Sequence, residues 1–359
     1  MPARKPDGNL KRGWTTGACA TAATAAAYEA LVTGAFPEAV TITLPRGDEP
    51  TFELVRTGLD NGRATAAVIK DAGDDPDVTH GAEVSVSLRF GAAGTGVTFR
   101  AGEGVGTVTL PGLPLPVGEP AINPSPRKMM TGVIEDLSRR LNGPGDVEIT
   151  VAIKDGERLA EKTMNGRLGI RGGLSVLGTT GIVIPYSCAS WIHSIHRGID
   201  VARAGGLRHI AAATGSTSEA AVKALYDLPD MALIDMGDFA GGLLKYLRRH
   251  PLPRLTIAGG FGKLAKLAQG NLDLHSARSS LDMNKLAALA ADDAALAERI
   301  KTANTGMEAL TLAQAVGVAL ADRVAQGARE VALAALAGDV AVEVLVFDRQ
   351  GQRAGRAGG

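Results

Sequence analysis

Between residues 39 and 110, apolar and polar residues alternate in short β-branched runs, VTITL, TAAVI, EVSVSLRF, GVTF and GTVTL, separated by Gly, Asp and Pro. A period of two sends one side of each run to a core and the other to solvent, which predicts a mostly antiparallel sheet. Ahead of it, ACATAATAAAYEALVT at 18–33 lacks that alternation and reads as a small-residue helix stopped by Gly34. The stretch PGLPLPVGEPAINPSP at 111–126 cannot be central strand or helix interior. It leads into a helix over about 127–141, and a strand pair follows, DVEITVAI and ERLAEKTM. Residues 1–165 therefore read as an α+β N-terminal domain.

From residue 166 to 345 the rhythm becomes strand, glycine turn, helix. HIAAATG precedes STSEAAVKALY, MALIDMG precedes DFAGGLLKYLRRH, and RLTIAGG precedes FGKLAKLAQG. This is the alternation of parallel strands with crossover helices, an α/β Rossmann-like domain. Ala- and Leu-rich helices occupy 283–325, VAVEVLVFD is one more strand whose sheet the pattern leaves open, and 346–359 reads as a flexible tail.

With 359 residues and 45% hydrophobic content the chain can bury two cores. Lys plus Arg and Asp plus Glu number 38 each, so no global field attracts nucleic acid or an anionic membrane. The basic N-terminus, MPARKPDGNLKRG, has no apolar run behind it, so neither an export signal nor a membrane span is expected. Two distant cysteines, Cys19 and Cys188, supply neither a disulfide framework nor a zinc set and fit a reducing cytoplasm. Aromatics are only 4%, which disfavours base- or sugar-stacking platforms. The oligomeric state stays open, a homo-oligomer included.

The densest chemistry lies in KDAGDDPDVTHG at 70–81, where Asp71, Asp74, Asp75 and Asp77 crowd beside His80. Like charges held close raise one another's pKa, so the turn is either a hydrated acidic bend or a site. Its spacing is not that of an EF-hand. In the second half, TGSTSE, DMGDFAGG and AGGFGK each end a strand and open a helix. Such turns line the ligand crevice of open α/β sheets, and their N–H groups favour an anion. Ser216, Thr217 or Ser218 is placed to cap the first helix with Glu219 in a capping box, while Asp238 is either an N-cap or a ligand acceptor beside Asp235. Neither a P-loop nor the strict GxGxxG fingerprint occurs, which disfavours ATP hydrolysis and a standard NAD grip. Arg197 and Arg203 offer carboxylate contacts or only solvated charge. His193 and His196 lack the carboxylate pattern of a zinc helix, so no metal site is expected, and Cys188 reads more readily as inert than as a nucleophile.

Several strings then converge. RGWTTGACA at 12–20, the acidic turn, PVGEPAINPSPRKMM at 116–130, RLGIRGGLSVLGTTGIV at 167–183, TGSTSE, DMGDFAGGLLKYL and IAGGFGKLAKLAQG closely resemble, in order, the cobalt-precorrin-5B C(1)-methyltransferases, the CbiD family of cobalamin biosynthesis. The resemblance runs from about 10 to 280, with little recognisable motif in 281–359. Gly166 departs from the Pro of many members. The resemblance implies methyl transfer from S-adenosylmethionine to C-1 of cobalt-precorrin-5B, giving cobalt-precorrin-6A and S-adenosylhomocysteine. A nucleotide-dependent oxidoreductase and a non-catalytic tetrapyrrole carrier are the alternatives. On the methyltransferase reading, a general base comes from Asp74, Asp75, Asp77 or His80, with Asp75 or His80 preferred. Gly215, Ser216, Thr217, Asp235, Gly237, Asp238, Gly259 and Gly260 then hold the cofactor. The corrinoid, a flat ring with many carboxylates, falls to Thr15, Thr16, Arg127, Lys128, Arg167, Gly178, Thr179, Thr180 and Lys263. The opposite assignment of domains to ligands stays open.

Overall fold

A computed structural model describes residues 8–359; part of the basic N-terminal segment weighed above, residues 1–7, lies outside them. The chain has a mixed α/β fold and divides into two compact units, 8–187 and Cys188–Gly359. The division falls later than 165, because 166–187 pairs with the first unit's strands rather than opening the second.

In the first unit the order is β1 (Gly13–Trp14), α1 (Thr16–Thr33), β2 (Ala39–Thr41), β3 (Thr51–Glu53), β4 (Arg56–Asp60), β5 (Arg63–Ile69), β6 (Glu83–Phe90), β7 (Val97–Ala101), β8 (Thr107–Val108), α2 (Pro124–Leu141), β9 (Val147–Ile153), α3 (Gly156–Ala160), β10 (Ile170–Arg171) and β11 (Ile182–Val183). Its main sheet runs β4-β5-β6-β9-β7, antiparallel except for the parallel β7–β9 pair. Two separate two-stranded pairs, β1–β11 and β8–β10, tie 166–187 to earlier segments of the first unit.

Helix α1 packs against β5, β6 and α2 and is buried from Thr16 to Tyr28. A helix that is apolar all round belongs in a core, and its Ala and Thr side chains let the neighbouring backbones come close. The buried hydroxyls are satisfied within the helix, Thr21 Oγ1 donating to Gly17 O (2.8 Å) and Thr24 Oγ1 to Ala20 O (2.7 Å). The prolines at 124 and 126 form the first turn of α2, where a missing N–H costs nothing. ERLAEKTM is not a strand. Asp155 turns left-handed (φ 56°), Gly156 lies against the Gly104 backbone, and Leu159 N–H closes a helical turn on Asp155 O.

The second unit contains α4 (Cys188–Ala204), β12 (His209–Ala213), α5 (Ser216–Tyr226), a 3₁₀ turn at Asp230–Ala232, β13 (Leu233–Asp235), α6 (Ala240–Arg249), β14 (Arg254–Gly260), α7 (Phe261–Ala268), α8 (Met283–Ala288), α9 (Ala294–Thr302), α10 (Gly306–Ala315), α11 (Leu320–Leu336), β15 (Ala341–Phe347) and β16 (Arg353–Ala357). The strands lie in the order β13-β12-β14-β15-β16, the first four parallel and β16 antiparallel. Alternate residues of β12 enter different cores: Ile210 and Ala212 share one with Ile199 of α4, Leu243 of α6, Leu264 of α7 and Val324 of α11, whereas Ala211 and Ala213 share another with Val222 of α5.

Residues 353–357 are a paired strand, so the tail is not free. Arg356 reaches Glu343, which is 1% exposed and also meets Arg254, Thr256 and Tyr226. Among the described residues no helix is long and apolar enough to cross a membrane.

Candidate functional site

Four of the first unit's motif strings meet at the N-terminus of α1. Thr15 caps the helix, its Oγ1 accepting from Ala18 N–H at 3.2 Å, and its own N–H donates to Gly181 O at 3.0 Å. Thr16 exchanges hydrogen bonds with Leu177, and Gly17 N–H donates to Leu177 O at 2.8 Å. Gly178 sits so close that a Cβ there would fall 2.1 Å from Thr15 Oγ1. Ile122 bridges to Val176 and Pro126 crowds Gly17. The backbone of 11–14 runs against the acidic turn, with Trp14 N–H to Asp71 O (2.7 Å) and Asp74 N–H to Lys11 O (3.0 Å). Thr15, Thr16 and Gly178 are thus brought together as framework. Thr180 Oγ1 bonds locally to Ile182, and Thr179 is exposed.

Crowding does not raise Asp71 or Asp77, because each has its own donors. Lys11 Nζ and Gly73 N–H hold Asp71, whose pKa lies below the ordinary carboxylate value chiefly through the Lys11 hydrogen bond. Lys11 N–H donates to Asp74 at 2.6 Å. Asp77 meets the ammonium of Lys70 at 2.7 Å, and Lys70 is 1% exposed. Burial pushes Asp77 up, but Lys70 and the Thr79 N–H and hydroxyl outweigh it and hold the carboxyl below its usual range. Asp77 is therefore a structural anchor, an expectation of catalysis the geometry does not favour. Asp75, half-buried, accepts from Tyr186 N–H at 2.8 Å, and no cation within ion-pair distance is found for it among the described residues. His80 Nδ1 accepts from Ala72 N–H at 3.1 Å, so the neutral ring carries its proton on Nε2, turned away from that bond. With Nδ1 so occupied, the ring offers a donor at Nε2.

In the second unit the three glycine turns lie side by side, since β13 and β14 flank β12 in parallel register with Ala213 opposite both Asp235 and Ala258. Met236 and Gly237 N–H both donate to Ala213 O, and Thr214 N–H donates to Ala258 O. Gly215, not a serine or threonine, is the N-cap of α5, and no side chain caps the first turn; Ser218 Oγ donates back to Gly215 O. The capping box is therefore absent, and the N–H groups of Ser216 and Thr217 keep no side-chain acceptor. Phe239, not Asp238, precedes α6. Gly259 fits under Thr214, where a Cβ would meet Oγ1 at 2.8 Å, and Gly260 is the N-cap of α7. Lys263, expected at the corrinoid, belongs to this cluster: its Nζ donates to Thr214 O (2.8 Å) and lies 3.0 Å from Asp238 Oδ1.

Trp191 is an addition that sequence reasoning missed. Its Nε1 donates to Asp235 O at 3.1 Å, and its ring lies against Gly237, which takes φ 56°. Lys70, Lys11 and Tyr186 were also missed, since nothing local marks Lys70 as buried or gives any of the three its carboxylate partner.

Other expected contacts resolve internally. Arg127 donates to Ile122 O, Pro120 O and Glu119 and lies over the Phe99 ring, so its guanidinium is committed to the fold. Lys128 is exposed and Arg167 half-buried. Arg197 pairs with Asp200 at 3.1 Å, and Arg203 donates to Pro251 O. His196 stacks on Tyr246 with centroids 3.9 Å apart. Cys188 Sγ lies 2.9 Å from Arg278 Nη2, and burial pushes the Cys19 thiol up to about 12, which leaves it unreactive. Among the described residues no group of three His, Cys, Asp or Glu side chains is arranged to hold a metal ion.

Comparison with known proteins adds to this geometry. The family model described as CbiD matches residues 3–185, and that described as CbiD, C-terminal domain matches 273–358, a region where the motif reading had found little. A cobalt-precorrin-5B C(1)-methyltransferase of Brucella anthropi is 59% identical over 346 residues, covering 95% of this chain and 94% of its own. The protein of the same name from Bradyrhizobium sp. is 59% identical over 351 residues, covering 97% and 93%. A crystal structure of a cobalamin biosynthesis protein (CbiD) from Archaeoglobus fulgidus is 28% identical, covering 76% of this chain and 84% of that one, with a TM-score of 0.42.

Proposed function

We propose, from the premise that the chain belongs to the CbiD family, that it methylates C-1 of cobalt-precorrin-5B in cobalamin biosynthesis, with S-adenosylmethionine as donor. The observation that carries the activity is the 59% identity running through nearly the whole of both chains. The donor assignment rests on the second unit's geometry.

In that unit β12 connects to β13 on one side, while β14 connects to β15 on the other. Adjacent strands whose connections diverge make a topological switch point, and ligands of open α/β sheets bind outside the strand ends there. Helix α5 on one face and α6, α7 and α11 on the other are what right-handed crossovers require. We therefore read this unit as Rossmann-like, with the donor at Gly215–Thr217, Asp235–Asp238 and Gly259–Gly260. The residues fit such a group: an uncapped helix start, an accessible ammonium and small residues where a ligand must approach closely.

When bound, S-adenosylmethionine supplies an electrophilic methyl on a sulfonium. The protein's part is to align C-1 in line with it and to take the proton that the ring gives up as its electrons form the new bond. Asp75 suits that proton transfer best of the acidic-turn residues, since it is half-buried and meets no cation among the described residues, whereas Asp71 and Asp77 are tied to ammonium groups, Asp74 is exposed, and His80 presents a donor. The Tyr186 N–H orients its carboxylate, and His80 Nε2–H is available to a ring carboxylate.

Two measurements test this reading. Calorimetry of the full chain should show binding of S-adenosylhomocysteine; absence of binding with and without corrinoid would leave the carrier reading instead. Single-turnover methyl transfer with bound substrate should fall at least about 100-fold in Asp75→Asn, and an unchanged rate removes Asp75 from the proton-transfer role.

A further inference from the structure

Lys263 and Asp238 form a pair of opposite charges at the carboxyl edge of the parallel sheet, and neither is used up by the other. The Lys263 side chain is 36% exposed, and Asp238 is 19% exposed. The ammonium donates to Thr214 O at 2.8 Å and lies 3.0 Å from Asp238 Oδ1. That second contact is an ion-pair distance without hydrogen-bond alignment: the buried Asp238 Oδ1 receives no aligned donor at all. A buried carboxylate oxygen in that condition is uncommon and is expected to gain a donor when a ligand arrives.

What ligand the pair fits follows from its charges. A carboxylate beside Lys263 gains a charge-assisted hydrogen bond, and the uncapped N–H groups of Ser216 and Thr217 add to the same positive side. The carboxylate of Asp238 repels a ligand that is only anionic, so a ring bearing many acetate and propionate groups is a poor match. An ammonium beside the accessible part of the Asp238 carboxylate, whose side chain is 19% exposed, is attracted by its charge. One small group carries both charges two bonds apart: the α-amino-carboxylate end of an amino acid.

We infer that Lys263 and Asp238 are the subsite for the α-carboxylate and α-ammonium of the methyl donor's methionyl end. Lys263 binds the carboxylate and Asp238 the ammonium, and the Lys263 bond to Thr214 O fixes the start of α5 relative to α7 so that both partners stand ready before the donor enters. The adenosine then falls to the remaining turns, with Trp191 behind Gly237. This inference rests on the assignment of the donor to the second unit.

The test compares two probes on the full-length chain: S-adenosylhomocysteine, which carries the amino-acid end, and 5′-methylthioadenosine, which lacks it. Calorimetry is run on the unmodified protein, Lys263→Met and Asp238→Asn. Both substitutions should weaken S-adenosylhomocysteine about tenfold or more and leave methylthioadenosine unchanged, which also shows that the crevice is still folded. Equal weakening of both probes makes the pair a structural brace and overturns the subsite. Unchanged S-adenosylhomocysteine affinity in both variants overturns it too, while the donor assignment stands. If the unmodified protein binds neither probe, the donor assignment falls and the subsite with it.

Discussion

Lys70 shows how far a charge count is from a pKa. Four aspartates within seven residues suggest mutual repulsion, yet the fold threads a buried ammonium beneath Asp77 and an exposed one over Asp71. Asp71 and Asp77 are held below the ordinary carboxylate range instead of being pushed up. Removing one member of a buried pair leaves the other desolvated, so Lys70→Met should cost about 3 kcal/mol at neutral pH, measured by urea unfolding. The cost has a pH signature. The Asp77 pKa is lowered by folding from 3.8, so its stabilisation is whole above that value and is lost as the pH falls through the folded pKa. The difference between Lys70→Met and the unmodified protein should therefore shrink on going from neutral pH to about pH 3; a difference that stays constant would contradict the pairing. None of this was legible in KDAGDDPDVTHG, because a lysine at the end of an alternating strand reads as exposed until the β5–β6 connection folds over it.

At the scale of elements, glycines separate into those that permit a contact and those that merely occupy a position. Gly178 takes φ 136° and stands where a Cβ would overlap the Thr15 side chain at 2.1–2.9 Å. Gly178→Ala should displace the cap of α1 and lower stability by about 2 kcal/mol or more. Gly132, in the exposed middle of α2, has nothing within 4 Å of the place a methyl group would take and no left-handed φ. Gly132→Ala should raise stability by about 0.5–1 kcal/mol through helix propensity alone. Thermal unfolding of the two variants checks both signs. Helix α1, its Gly34 stop and the alternating β5, β6 and β9 were readable because each follows from local chemistry. The segment ERLAEKTM misled because alternation over a few residues does not reveal the left-handed Asp155 that turns the chain.

At the scale of the whole molecule, the last residues complete a sheet. Arg356 in β16 is one of two arginines paired with buried Glu343. Deleting 349–359 should destabilise the second unit by about 3 kcal/mol, seen as a lower melting temperature and faster proteolysis, whereas a free tail would leave both unchanged. Gly- and Arg-rich composition hides this strand, since its pairing partner lies in β15 and its charge partner on a strand face. The same distance in sequence hides the grouping of ligand residues. Three glycine turns were visible one by one, and Lys263 was visible as a motif member, but its place beside Asp238 exists only because β14 inserts next to β12.

By itself the sequence determined most helices and strands, the α/β rhythm of the second half, the motif strings of the CbiD family and the turns that open helices, because each depends on neighbours within a few residues. Tertiary structure alone decided which carboxylates are held by cations, which nitrogen of His80 keeps its proton, where 166–187 and the terminal strand belong, and which charges stand at one sheet edge. Those properties depend on burial and on partners far along the chain, such as Lys11 and Asp74, 63 residues apart, and no local pattern carries that information.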